Sequence, residues 1–127
     1  MKDVRVSASR FRAMAEAELA AIPAQVRALL DNVTIEIRKS PGPEAEGLED
    51  PEELLGLYVG ASRAEFRDGS ASGCLPAKVY LYQWNLEDTV DGLDELRREI
   101  RITLRHELAH HFGFDDEQLE HVWPEGA

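Results

Sequence analysis

The chain has one cysteine, Cys74, in 127 residues, so no internal disulfide can form. Stability must come from an ordinary packed core, and a reducing, cytoplasmic setting is the expectation. Cys74 sits in a glycine-rich stretch and reads as a free structural thiol rather than a ligand. Positive charge is also scarce. Lys and Arg number 14 against 25 Asp and Glu, for a net charge of −11. Such a chain has no general attraction for nucleic acid or anionic membranes. No apolar run approaches the roughly 20 residues that span a bilayer. The polar opening Met1-Lys2-Asp3-Val4-Arg5 does not read as a signal peptide, so none is expected. Histidine is absent from the first 105 residues: all four (His106, His110, His111 and His121) fall in the last stretch.

At this length, with 43% hydrophobic residues, the chain reads as one domain over 1–127. Ser7 to Leu30 carries helical periodicity, with Pro23 ending one segment and starting the next. Thr34 to Arg38 alternates as a strand. Leu54 to Gly60 and Val79 to Tyr82 follow as two further strands. Ser40 to Pro51, rich in Pro, Gly and Glu, reads as a mobile, solvated linker. Arg63 to Ala77 reads as the long loop of a hairpin. Asp91-Gly92 precedes a long helix from about Leu93 to Phe112. Its apolar stripe is Leu93, Ile100, Leu104 and Leu108, with His106 and His110 opposite. Gly113 suits a left-handed helix cap, and a short acidic helix follows over Asp116 to His121.

The run His106-Glu107-Leu108-Ala109-His110 carries the chemistry. Residues four apart share a helix face, so two imidazoles can aim at one ion. Glu107, one step round, can reach a water on that ion. A catalytic zinc takes three protein ligands and leaves one position open. Asp116, just past the Gly113 turn, is the favoured third ligand, with Asp115, Glu117, Glu120 and His121 as alternatives. The chemistry implied is hydrolysis by a metal-activated water, with Glu107 as general base and then acid. Tyr58, Tyr80, Tyr82 and His121 are candidate oxyanion donors. A peptide can add to an exposed sheet edge, and the strand at Val79 to Tyr82 is the expected one. His111, about 100° round from His110, reads as a packing residue. Arg98, Arg101 and Arg105 read as partners of the chain's own carboxylates.

The span from about Leu54 to Glu120 resembles the small bacterial zincin-like metallopeptidase family. The matching residues are Leu55-Gly56-Leu57-Tyr58, Val79-Tyr80-Leu81-Tyr82, and the long helix with His106 to Gly113 followed by Asp116. The resemblance implies an α+β minimal zincin fold: a small three- to four-stranded sheet, an N-terminal helix and a long active-site helix near the C-terminus. It implies His106, His110 and Asp116 as zinc ligands and Glu107 as the catalytic acid/base. The pattern is also similar to that of the metzincins, with Asp116 in place of a third His. Their downstream methionine turn is missing, since Met1 and Met14 both lie upstream.

The leading expectation is therefore a zinc-dependent peptidase acting on small or unfolded peptides, with no nucleic-acid or membrane partner. An endoribonuclease with similar metal spacing is disfavoured by Glu107, by Asp at position 116 and by the acidic charge. The competing reading is a non-catalytic, metal-stabilised binding or regulatory module that keeps the zincin shape.

Overall fold

The computed structural model describes residues 4–69 and 76–124; Cys74 lies outside them. Helix α1 (Ala8–Ala20) starts where the Ser7 hydroxyl accepts the Arg10 amide, a standard N-cap. It ends before Pro23, which opens the single turn of α2 (Ala24–Arg27). The helical stretch read over Ser7 to Leu30 is thus two helices, broken at the expected proline.

The described sheet has three strands: β1 (Val33–Arg38), β2 (Gly56–Val59) and β3 (Ala77–Tyr82), in the order β1-β3-β2. β3 runs parallel to β1, with Ile35 opposite Val79, and antiparallel to β2, with Tyr58 opposite Val79. The expectation that Val79 to Tyr82 offers a free edge is therefore corrected. β3 is central, paired on both sides, and every residue in it but Lys78 is buried. Its run of β-branched and aromatic residues marks a fully buried strand rather than an edge.

One face of the sheet carries Val79 and Leu81 into a core shared with Phe11 and Met14 of α1 and with α5 (Leu93–Phe112). From α5 the buried stripe is Leu96, Ile100, Leu104 and Leu108, joined by Thr103 and His111. Leu93 is only partly buried, and Leu96 takes the expected place one turn on. Two short helices lie outside the helical stretches expected from the sequence. α3 (Arg63–Arg67) interrupts the expected loop and is held by a reciprocal cap between Ser62 and Glu65. α4 (Gln83–Asp88) follows β3 directly. Its Glu87, 1% exposed, accepts the Val6 amide and the Gln83 side chain and ties down the N-terminal segment. The last helix, α6 (Asp116–Val122), buries Leu119.

The other face of the sheet is covered by residues 40–53, whose composition suggests a mobile linker. They form two single-turn 3-10 helices, Pro43–Ala45 and Pro51–Glu53. Ala45 is fully buried. Glu44 accepts the Tyr82 hydroxyl at 2.8 Å and the Gly42 amide at 3.0 Å. The Asn85 side chain donates to the carbonyls of Glu52 and Leu54. These bonds outweigh a composition that favours disorder. Burial pushes the Glu44 carboxyl up, but the bonds from Gly42 and Tyr82 hold it below its ordinary value. The anchorage is therefore complete above the ordinary carboxylate range and is lost as pH falls through the depressed value.

Leu104→Ala, which empties the centre of the α5 stripe, is expected to cost about 2–5 kcal/mol in urea denaturation; a cost near zero contradicts this core. In an NMR titration, Tyr82→Phe is expected to move the Glu44 carboxyl upward; an unmoved titration contradicts the clamp.

Candidate metal centre

The sequence places His106, Glu107, His110 and His111 on the last two turns of α5. The helix then stops at Gly113, whose φ of 74° is the left-handed cap conformation. Its amide and that of Phe114 both bond the Ala109 carbonyl. Because the stripe through Leu104 and Leu108 faces the core, His106 and His110 face outward. The His106 side chain is 73% exposed, and Glu107 beside it is only 13% exposed. The His106 and His110 rings meet edge to face with centroids 5.7 Å apart. His106 Nε2 lies 4.0 Å from Glu107 Oε2.

His110 is backed by Tyr58 of β2, whose ring stacks on it at 6.1 Å with planes 20° apart. The Tyr58 hydroxyl lies between the Ala61 carbonyl, to which it donates, and His111 Nδ1 at 2.7 Å. Burial and the negative charge of Glu65 push this phenol up to about 12. His111 is fully buried, and its Nε2 lies 2.6 Å from the Asp31 carbonyl. A carbonyl only accepts, so Nε2 carries the proton. Burial lowers the His111 pKa, against an opposing pull from Asp31. His111 is thus a core tie between α5, β2 and the segment before β1, the packing role expected of it.

The structure joins His106, Glu107 and His110 but not the whole expected set. Among the described residues no group of three or more His, Cys, Asp or Glu side chains is gathered to hold a metal ion. Asp116 stands exposed in the first turn of α6. The start of that helix is fixed by Asp115, whose carboxylate accepts the Gln118 amide at 2.8 Å while the Gln118 side chain accepts the Asp115 amide. Of the alternative ligands, Asp115 is therefore used as a cap. Glu120 is paired with Arg105 at 2.7 Å. Glu117 and His121 border a hollow of about 720 Å³ along α6 that contains neither His106 nor Glu107. The donors present suit zinc in kind: two neighbouring exposed imidazoles and an adjacent shielded carboxylate would supply two ligands and a base.

Of the candidate oxyanion donors, the Tyr58 and Tyr82 hydroxyls are otherwise engaged, and His121 stands at the hollow along α6. Tyr58 is committed as above. Tyr82 bonds Glu44, and Tyr80 stacks on Tyr82 under the Arg38 guanidinium. Of the α5 arginines, Arg105 meets Glu120 and the Trp123 carbonyl as expected. The Nε of Arg101 is buried without a partner.

A second cavity, of about 320 Å³, opens beside the histidines and includes His106 and Glu107 in its wall. Its other side is the chain entering β2, an edge strand of the described sheet that packs next to α5. Gly56 makes this approach possible. A Cβ there would sit 2.6 Å from the Thr103 methyl, 2.9 Å from the Tyr80 carbonyl and 3.4 Å from Glu107 Cγ. A glycine inside a strand is a sign of a close backbone approach, though not of what approaches. The sequence carries no direct sign of Glu99, which lies seven residues before His106 and so on the same helix face.

Among the described residues no helix is long and apolar enough to cross a membrane. No curated protein matches this chain. A solved structure, a conserved hypothetical protein from Thermo thermophilus, matches with a TM-score of 0.51 at 26% identity, covering 83% of this chain and 92% of that one. The family model described as zincin-like metallopeptidase matches residues 30–124, which include the sheet and the His106 helix, and the chain belongs to that family.

Proposed function

We propose that the protein is a zinc-dependent peptidase. The observation that supports this best is the placing of two exposed imidazoles, His106 and His110, one turn apart, with the shielded Glu107 beside them at a cavity on the sheet edge. His106 and His110 would hold the ion, with Asp116 as the proposed third ligand. A zinc ion bound there supplies Lewis acidity, bringing the pKa of a coordinated water from about 15.7 to about 7 and polarising a carbonyl.

The residues of the chain do the rest. Glu107 takes a proton from the attacking water and returns it to the departing amine. Its low exposure favours such proton traffic over free exchange with solvent. Tyr58 and His111 hold the His110 end of the helix against β2, so the histidine pair does not drift. A substrate strand pairs with the open side of β2, and its scissile carbonyl then lies along the cavity that ends at Glu107. The shallow site suits extended peptides and unfolded segments rather than folded proteins.

A second reading is favoured by one observation. No third donor is gathered with the histidines among the described residues, as a binding module with a residual metal pair would also have it.

One comparison separates the two. Zinc-loaded protein is expected to cleave members of a diverse peptide library. Glu107→Gln is expected to lower kcat/KM by about 10²–10⁴ while binding zinc at one equivalent. Stoichiometric zinc with no cleavage by the parent protein would overturn the peptidase and leave the binding module.

A further inference from the structure

The cavity beside His106 and Glu107 has a mixed wall. Leu54, Leu55 and Ile102 supply an apolar floor, and Glu53 and Glu99 supply carboxylates. No lysine or arginine lines it. Neither the Glu53 nor the Glu99 carboxylate is engaged in an ion pair or side-chain hydrogen bond among the described residues. Carboxylates elsewhere on the described surface are also without partners; these two share a cavity wall with His106 and Glu107. Glu99, about two helical turns from His106 and from a zinc ion held there, adds with Glu53 a local negative potential at the part of this cleft away from the ion.

An apolar floor joined to negative groups matches one kind of side chain. Lysine and arginine lay a hydrocarbon stem along apolar surface and keep a charged head at its polar end. A neutral aliphatic chain fills the floor but leaves the carboxylates unanswered. An acidic chain is repelled. We propose that this cavity selects a lysine or arginine side chain of a peptide substrate, with Glu53 and Glu99 as the specificity-determining residues. The inference rests on the peptidase reading for its place beside the scissile bond, but the recognition itself needs no turnover.

The test uses short peptides capped at both ends and identical except for one residue: lysine, norleucine or glutamate. Binding is read by fluorescence anisotropy on the Glu107→Gln protein, and cleavage on the parent protein, both zinc-loaded. Lysine is expected to bind at least about fivefold more tightly than norleucine at low salt, as paired surface charges allow. Added salt shrinks the difference. Glu53→Gln with Glu99→Gln removes the difference between lysine and norleucine. Glu53→Lys with Glu99→Lys turns the preference toward glutamate. Equal binding of lysine and norleucine would overturn the proposal. So would a lysine preference that survives the double glutamine variant, or one that appears only with a free terminal amine. Lysine-selective binding without cleavage would keep this inference and sink the peptidase. Cleavage indifferent to lysine would do the reverse, and no binding of any peptide would end both.

Discussion

Everything in this molecule depends on α5 having two faces with different tasks. One stripe, through Leu96, Ile100, Leu104 and Leu108, is buried against α1 and the central strand. Each such side chain contributes on the order of 1.5–3 kcal/mol by leaving water. That burial fixes the rotation of the helix about its own axis. Once the rotation is fixed, His106 and His110 face solvent together and Glu107 lies at the boundary between core and surface. The polar face is therefore placed by apolar forces acting on the opposite side of the helix.

The second constraint is the closeness of β2 to that helix. Gly56 lets the strand approach where any side chain would strike Thr103 and the Tyr80 backbone. Tyr58, two residues on, is then brought against His110 and His111. The same approach makes the cavity whose wall joins β2 to Glu107. The cover over the far side of the sheet, anchored by Glu44 and Asn85, leads into this wall through Leu54 and Leu55. Sheet, cover and helix thus meet at one place.

Much of this was legible in the amino-acid sequence because it rests on local patterns. The limits of α5 follow from Gly92, the apolar stripe and Gly113. The strands follow from β-branched and aromatic runs. What could not be read depends on tertiary context. Strand order is not written in a strand's own residues: the apolar run of β3 signals burial on both faces but does not name its neighbours. The segment 40–53 has the composition of a linker, and only the meeting of Glu44 with Tyr82 and of Asn85 with two carbonyls orders it. The helix α3 did carry a signal, the Ser62 to Glu65 capping pattern, which a reading by hydrophobic period passes over. At the site, the four-residue spacing of the histidines was sufficient to pair them. The start of α6 at Asp116 was legible, but whether its carboxylate joins the histidine pair was not, because that depends on how α6 packs after the Gly113 turn. The carboxylates of the cavity come from segments far apart in the chain, and only Glu99 shares a helix face with His106.

The central claim is that α5 presents a zinc site completed from α6. The most direct measurement is a structure of the zinc-loaded protein, with ligand identity checked by X-ray absorption. The account predicts one zinc held by His106, His110 and the carboxylate of Asp116, with Glu107 beside it and not bound. Zinc held away from the histidine pair, or no zinc retained at one equivalent, would contradict it.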